Sequence, residues 1–317
     1  MSSLARVDLE TRPGRTCPIS YRYPPRAMNR DPQVVAGTLY VVGGLYGNVE
    51  ALAAIESMAA REDAPVTIVF NGDFHWFDVD DSDFAHVTRT VLGHAAIRGN
   101  VETEIAGEDS GAGCGCAYPV DVSDAEVSRS NRILERLRDT ASRAPALRQR
   151  LGELPMHLTA QVGDARIGII HGDAASLAGW GFAHDRLDDP SHRRWVESMF
   201  REANVDAFAS THTCLPVFRR FAAGVVANNG AAGMPNFVGS RCGLLTRIAA
   251  HRHPMRLYGL EVAGVSIDAL RIDYDHERWI DRFLASWPEG SPAHESYHRR
   301  MVHGTRFRLE QALPKSA

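Results

Sequence analysis

Four side chains that commonly bind metal ions each follow a short apolar run of the sequence. They are Asp73 in NGDFHW, Asn100 in RGNVE, His171 in IIHGD and His212 in STHTCLP. One carboxylate, one amide and two imidazoles form a ligand set that suits Mn²⁺, Fe²⁺ or Zn²⁺. Taken singly, each residue is more typical of a turn or of a structural histidine. Four of them in the same position relative to four apolar runs favour one shared metal site.

The apolar runs before these residues are predicted to be β-strands, because they are short and rich in branched side chains. They cover residues 66–70, 95–98, 166–170 and 206–210. Helical spacing of apolar residues predicts helices over 48–61, 81–92, 124–144 and 191–203. Open α/β sheets place their sites at the carboxyl ends of strands, so the four side chains are expected at one sheet edge.

The chain changes character after residue 217. Strand-like runs follow one another at 217–222, 225–228, 244–249, 256–262 and 265–272. Mixed βαβ units followed by a run of strands predict two packed sheets with helices outside them. We expect an extended surface arm over 1–37, the main domain over 38–275 and a helical tail over 276–317.

Composition excludes several classes of protein. The 317 residues carry 35 basic and 39 acidic side chains, a net charge of −4, which excludes a protein held on DNA mainly by a basic surface. No apolar run approaches the ~18 residues of a membrane span, and the N-terminus has no apolar signal-peptide core. Five cysteines do not make a disulfide framework. We therefore expect a cytoplasmic protein with reduced thiols, no membrane contact and no nucleic-acid partner.

Five short blocks, in this order, resemble the calcineurin-like metallophosphoesterase superfamily. The family blocks D-x-H, G-D-x-x-D, G-N-H-[DE], H-G and G-H-x-H fall on GGLYGN (43–48), NGDFHW (71–76), RGNVE (98–102), IIHGD (169–173) and STHTCLP (210–216). GNVEAL (47–52) and NNGAAGMP (228–235) are similar to two flanking segments of the family. The resemblance covers about residues 38–275. It implies an α/β fold, a four-layer αββα sandwich of two mixed β-sheets flanked by helices.

The same resemblance implies that one metal site is kept and one is lost. In the family, two metals share the aspartate of the second block, and one of them also takes the positions of Asn100, His171 and His212. With Asp73, this set is intact. The other metal takes an Asp and two His at positions that here hold Gly44, Tyr46 and Cys214. We therefore expect one divalent transition metal (Mn, Fe or Zn) per chain. Cys214 is a further candidate ligand, and Cys114 and Cys116 would join it if the second site were rebuilt with thiolates.

The residues expected to act on a substrate are less well defined by the pattern. The histidine that the family is taken to use for protonating the leaving group is replaced by Val101, which does no acid–base chemistry. His75 is a candidate replacement acid or extra ligand, placed with Asp73 in the catalytic group, and the alternative is a structural histidine. The candidate substrate-binding residues are Tyr46, Asn100, Asp173 and Arg219, with Trp180 as pocket lining. Asp173 is equally compatible with a helix cap, and Arg219 with a solvated edge strand.

These observations predict a metal-dependent hydrolase of phosphoric esters, a phosphomonoesterase or phosphodiesterase with a mononuclear site. One metal positions the attacking water less well than two, so weak or lost activity is expected. The alternative is a non-catalytic protein of the same fold that binds a phosphorylated ligand or a partner protein. The expected partner is a small phosphoester substrate, and a homodimer is compatible with the sequence.

Overall fold

Two β-sheets packed face to face form the centre of the computed structural model, which describes residues 12–108 and 111–316. The strands are β1 (Val34–Ala36), β2 (Thr38–Val42), β3 (Val66–Asn71), β4 (Ala95–Ile97), β5 (His157–Val162), β6 (Ala165–Ile170), β7 (Ala207–Ser210), β8 (Val217–Phe221), β9 (Gly224–Asn228), β10 (Gly243–Ala249), β11 (Tyr258–Val262), β12 (Val265–Ile272) and β13 (Lys315–Ser316). Within the described ranges, one sheet has the order β1-β5-β6-β7-β9-β8-β13 and the other β11-β12-β10-β2-β3-β4.

Helices cover the outer face of each sheet. They are α1 (Val49–Ala60), α2 (Asp81–Val91), α3 (Asn100–Ala106), α4 (Asp124–Ser142), α5 (Pro145–Gly152), α6 (His184–Leu187), α7 (Arg193–Ala203), α8 (His276–Ser286), α9 (Arg299–His303) and α10 (Leu309–Ala312). A wider helical turn, His294–His298, leads into α9. The predicted four-layer αββα arrangement of two mixed sheets is confirmed.

Successive side chains of β2 point to opposite faces of its sheet and so belong to two different parts of the hydrophobic core. Leu39 and Val41 pack between the two sheets, whereas Tyr40 and Val42 pack against the outer helices. All five residues of β2 are buried, as expected for a strand covered on both faces. Strands β2, β3 and β4 are parallel to one another, and so are β6, β7 and β9. Their carboxyl ends therefore point to shared edges.

Local sequence sets where the first helices begin. The side chain of Asn48 accepts a hydrogen bond from the amide of Ala51 and caps α1. Asp80 caps α2 in the same way, through the amides of Ser82 and Asp83. Both helices lie over the six-stranded sheet. Among the described residues, no helix is at once long enough and apolar enough to cross a membrane.

The chain before β2 is not the extended surface arm that we expected. Residues 1–11 of the predicted arm lie outside the described part, but Tyr21 and Met28 are buried in the core on the outer face of the seven-stranded sheet. Strand β1 pairs in parallel with β5. This segment folds inward because the burial of its aromatic and apolar side chains lowers the free energy of the folded state.

The C-terminal tail is also part of the folded body. Helix α8 contacts α1, and Trp287, directly after α8, is buried and donates a hydrogen bond to the carbonyl of Phe77. The chain then crosses the molecule, and β13 pairs in parallel with β8 at the edge of the seven-stranded sheet. The tail therefore contacts the helix layer of one sheet and the edge of the other.

Candidate metal centre

The four candidate ligands converge where the carboxyl ends of the two sheets meet. Asp73 follows β3 and Asn100 follows β4 in one sheet, while His171 follows β6 and His212 follows β7 in the other. All four are buried. Potential ligand atoms of Asp73, His171 and His212 lie within 4.8 Å of one another. The structure thus brings the predicted set together, but at the adjoining edges of two sheets and not at the single sheet edge that we expected.

Backbone carbonyls determine which nitrogen of each histidine faces the centre of this cluster. His171 Nδ1 lies 2.9 Å from the carbonyl oxygen of Asn71, and His212 Nε2 lies 3.1 Å from that of Cys116. A carbonyl only accepts hydrogen bonds, so these two nitrogens carry the protons of the neutral rings. When both rings are neutral, His171 Nε2 and His212 Nδ1, which are 3.1 Å apart, therefore face each other with free lone pairs.

Two oxygens complete the cluster. Asn100 Nδ2 donates to the carbonyl of Cys114 at 2.9 Å, which orients the amide and leaves Asn100 Oδ1 3.1 Å from His171 Nε2. Asp73 Oδ1 lies 3.3 Å from the same nitrogen. Four lone-pair atoms thus converge, and the N–H groups of His171, His212 and Asn100 are directed outward, which is the arrangement in which proteins hold a metal. The donor set fits a divalent transition metal.

The pKa shifts in the cluster follow from burial and from the neighbouring charges. Burial raises the pKa of Asp73, but His171 and His212 more than offset this, and the net shift is downward. Burial lowers the pKa of His171, but Asp73 raises it by more. Burial and then His171 lower the pKa of His212 to about 3. The carboxylate is therefore charged and His212 is neutral near pH 7.

Glu102 holds the loop that carries Asp73, and the sequence analysis gave it no role. Its carboxylate accepts hydrogen bonds from the backbone amides of Asp73 (2.8 Å), Phe74 (3.1 Å), His75 (3.2 Å) and Gly99 (2.8 Å). Burial, followed by the charge of Asp73, raises its pKa. The acidic position of the G-N-H-[DE] block is the sequence signal that could have identified it.

The Tyr46 ring lies over Gly44, where the family resemblance implies a ligand of a second metal. A Cβ atom at Gly44 would lie 2.9 Å from the ring and hydroxyl atoms of Tyr46, so the ring covers the point where an aspartate side chain would begin. The Tyr46 hydroxyl lies 2.8 Å from Cys214 Sγ. Burial raises the pKa of both groups, so both stay protonated at neutral pH. This neutral pair occupies two of the three positions, Gly44, Tyr46 and Cys214, at which the family resemblance implies ligands of a second metal.

The glycine-rich loop covers the centre through its backbone. Cys114 and Cys116 offer carbonyl oxygens to Asn100 and His212, as described above. Burial raises the pKa of the Cys116 thiol well above its usual value, which disfavours the thiolate that a metal requires. Among the described residues, the cluster of close metal-binding groups consists of Asp73, His171 and His212, without a cysteine.

An open pocket with a volume of about 180 Å³ lies against this centre. Asp73, Asn100 and His212 contribute to its wall next to Val101. Much of the remaining wall is aromatic, formed by Tyr46, Trp76, Tyr118, Trp180 and Tyr297. The Trp180 ring packs edge-on against His212 at 5.4 Å and its Nε1 donates to the Cys116 carbonyl at 3.0 Å. The site is therefore accessible to a small ligand.

Arg300, from α9, lines the same pocket. Its Nε donates to the carbonyl of Pro235 and its Nη2 to that of Cys214, both at 2.9 Å. Sequence reasoning missed this residue because nothing around it in the chain distinguishes it from the other charged residues of the tail.

His75 lies outside the pocket, which corrects its expected role as acid or ligand. Its side chain is fully buried, with Nδ1 2.5 Å from Asp78 Oδ2 and Nε2 3.0 Å from Thr88 Oγ1. The ring also stacks on Phe84 at 4.4 Å. All of its hydrogen-bonding atoms are used inside the protein, so His75 has a structural role.

Asp173 and Arg219 are likewise placed away from the pocket wall. The carboxylate of Asp173 accepts hydrogen bonds from the backbone amides of Ala175, Ser176 and Gly181, which makes it a turn residue. Arg219 is buried and forms an ion pair with Asp188. Both expected contacts with substrate are therefore corrected, whereas Tyr46, Asn100 and Trp180 do line the pocket.

Comparisons with known proteins agree with the architecture. The chain is similar to a hypothetical protein from Pyrococcus horikoshii OT3, with a TM-score of 0.60, 16% identity and coverage of 86% of this chain and 100% of that one. It is also similar to a metallophosphoesterase from Sphaerobacter thermophilus, with a TM-score of 0.55, 16% identity and coverage of 85% and 100%. No protein-family model and no curated protein matches the sequence. At this level of identity, the likenesses establish the fold.

Proposed function

The chain has the fold of the calcineurin-like metallophosphoesterases, and on that premise we propose that it hydrolyses phosphoric esters with a single divalent transition metal. The observation that carries the proposal is the convergence of four lone-pair atoms, from Asp73, Asn100, His171 and His212, beside an open pocket. The substrate we propose is a small phosphomonoester or phosphodiester, because the pocket has a volume of only about 180 Å³.

Each residue of the centre has a distinct task in this proposal. Asp73, Asn100, His171 and His212 would hold the metal, which would supply Lewis acidity toward a phosphoryl oxygen and lower the pKa of bound water. The Asn71 and Cys116 carbonyls keep the imidazole lone pairs directed at the centre. Glu102 keeps the Asp73 loop in place through its four amide contacts. Aromatic side chains shield the reacting groups from bulk water, which strengthens the electrostatic interactions there.

The pocket offers the leaving group little help. Val101 stands where the family resemblance implies a proton donor, and it lines the pocket. Burial raises the pKa of the nearby Tyr46 hydroxyl and Cys214 thiol, so both release protons poorly. A leaving group that needs no proton is therefore favoured. We expect faster hydrolysis of aryl phosphates, such as p-nitrophenyl phosphate, than of alkyl phosphates.

Metal content is the direct test of the proposal. We expect one transition-metal ion per chain in the wild-type protein and none in His171→Ala, because that ring contacts all three other ligands. His212→Ala provides a second variant in case the first does not fold. His86→Ala changes an exposed histidine of α2 and should keep the metal.

Hydrolysis of p-nitrophenyl phosphate and bis(p-nitrophenyl) phosphate by the same four proteins completes the test. Activity that disappears together with the metal supports the proposal. A wild-type protein that binds no metal after loading with Mn²⁺ or Zn²⁺ would contradict it. A protein that binds metal and phosphate but turns over neither ester would instead be a non-catalytic binding protein, the alternative that the loss of the proton donor at Val101 favours.

A further inference from the structure

Arg300 is the permanent cation of the pocket. Among the described residues that line it, Arg300 alone carries a guanidinium or ammonium group. It donates to the carbonyl of Cys214, so it lies on the side of the pocket where Tyr46 and Cys214 replace the ligands of a second metal. A positive group therefore lies next to the position where two-metal phosphoesterases hold their other ion.

We propose that Arg300 binds the phosphoryl group of the substrate and supplies the positive charge that a second metal supplies in a two-metal site. This inference rests on the proposed phosphoesterase function. Two-metal sites stabilise phosphoryl oxygens from both sides with cations. Here a metal would act on one side and a guanidinium on the other, and guanidinium matches the geometry of phosphate oxygens.

The guanidinium of Arg300 contributes the same net charge as a second metal with its carboxylate ligand would. A second metal with one carboxylate ligand would add a net charge of about +1. At this place the chain has Gly44 instead of a carboxylate, and the Tyr46 hydroxyl and Cys214 thiol are neutral. The guanidinium of Arg300 contributes the same single positive charge. An anionic phosphoryl group thus meets a similar electrostatic environment with one metal as with two.

The guanidinium is held in position before any ligand binds. Two of its five N–H groups are used by the carbonyls of Pro235 and Cys214. Tyr297, three residues earlier in the tail, lines the pocket beside it. Because both anchors are backbone carbonyls, one of them that of the pocket-lining Cys214, the guanidinium is preorganised for a ligand, which reduces the entropy cost of binding.

The affinity for inorganic phosphate tests this role. Metal-loaded wild type, Arg300→Gln, Arg300→Lys and Arg299→Gln are compared by isothermal titration calorimetry and by phosphate inhibition of p-nitrophenyl phosphate hydrolysis. Arg299 is the matched control, since it is exposed at the start of the same helix. We expect Arg300→Gln to bind phosphate about 10- to 100-fold more weakly, the loss typical of one charged hydrogen bond. Arg300→Lys should recover part of the affinity.

The metal content separates phosphate binding by Arg300 from a purely structural role. Arg300→Gln is expected to keep one metal per chain and to raise the KM for p-nitrophenyl phosphate. Phosphate affinity equal to that of wild type, in a variant that still hydrolyses the ester, would overturn the inference and leave the proposed function standing. A loss of metal in Arg300→Gln, or an equal loss of affinity in Arg299→Gln, would also overturn it. A wild type that binds metal but neither phosphate nor ester would contradict both proposals.

Discussion

Backbone carbonyls select the reactive nitrogen of each histidine in the candidate centre. The carbonyls of Asn71 and Cys116 accept the outer N–H groups of His171 and His212, so the inner nitrogens offer lone pairs. The Asn100 amide is oriented in the same way by the Cys114 carbonyl. The direction of these lone pairs therefore depends on backbone carbonyls as well as on the side chains, and a sequence motif does not show such contacts.

Val101 provides a residue-level test of the missing proton donor. We expect Val101→His to raise kcat for an alkyl phosphate by about 100-fold, because a positioned acid contributes roughly that much to such a reaction. Hydrolysis of p-nitrophenyl phosphate should change little, since nitrophenolate leaves without a proton. The measurement is the ratio of the two rates under identical metal loading.

Val101→Asn is the control for Val101→His. It places a polar side chain at the same buried position without a titratable proton. If asparagine raises the alkyl phosphate rate as much as histidine, polarity rather than proton donation explains the effect. An equal gain on both esters with histidine would contradict the argument that the pocket lacks an acid.

An ion-pair cluster connects α1 to the six-stranded sheet at the level of elements. Glu62, which follows α1, accepts hydrogen bonds from Arg247 Nε of β10 at 2.6 Å and from the Tyr40 hydroxyl of β2 at 2.7 Å. The Glu62 side chain is only 9% exposed. Burial raises its pKa, but the bonds from Arg247 and Tyr40 outweigh burial and hold the pKa below 4.5.

The stabilisation from Glu62 should depend on pH. Because its pKa is lower in the folded state, the contribution is complete above about pH 4.5 and is lost as the pH falls through the folded-state pKa. We expect Glu62→Gln to lower the free energy of unfolding by about 2 kcal/mol at pH 7. Denaturant titrations at pH 7 and pH 3 should show this difference shrinking at the lower pH.

Glu56→Gln is the matched control for this cluster. Glu56 is exposed on α1 and should change stability by less than about 0.5 kcal/mol at either pH. A difference between Glu62→Gln and wild type that stays constant down to pH 3 would show that the charge of Glu62 is not what stabilises the fold.

At the scale of the whole molecule, Arg219 connects the C-terminal segment to the seven-stranded sheet. Its guanidinium is fully buried and donates to the carbonyls of Gln311 and Leu313, both at 2.9 Å, as well as to Asp188. These contacts join β8 to the loop after α6 and to the segment before β13. They hold the last part of the tail against the seven-stranded sheet, downstream of Arg300.

Replacement of Arg219 should lower the stability of the fold without changing the metal content that we expect. We expect Arg219→Met to lower the free energy of unfolding by about 3 kcal/mol, because it leaves buried carbonyls without donors. The metal content should stay at one ion per chain. Thermal melting and metal analysis of the same preparation measure both quantities.

Arg220→Gln serves as the comparison for Arg219→Met. Arg220 is the next residue of β8 and is exposed, so its replacement should cost less than about 0.5 kcal/mol. A similar loss in both variants, or a loss of metal in Arg219→Met, would contradict the view that Arg219 acts on the tail rather than on the site.

Local sequence determined the elements and the four candidate ligands of this protein. Apolar periodicity and caps such as Asn48 act within a few residues, so most strands and the longer helices α1, α2, α4 and α7 were predictable within a residue or two, whereas short helices such as α3, α5 and α6 were not. Asp73, Asn100, His171 and His212 each follow a strand, and the carboxyl ends of parallel strands meet at one edge of a sheet. This rule places Asp73 and Asn100 together in one sheet and His171 and His212 together in the other, but only the packing of the two sheets brings the two pairs into one cluster.

Only the tertiary structure decided what surrounds those ligands. In the sequence, His75, Asp173 and Arg219 are as plausible as the residues that do line the pocket. In the structure, the polar atoms of each are used in hydrogen bonds or ion pairs away from the pocket. Arg300 and Tyr297 reach the pocket because the tail packs across it, and Tyr46 lines the pocket with its ring placed over Gly44. Such outcomes depend on contacts between distant parts of the chain, which no local pattern specifies.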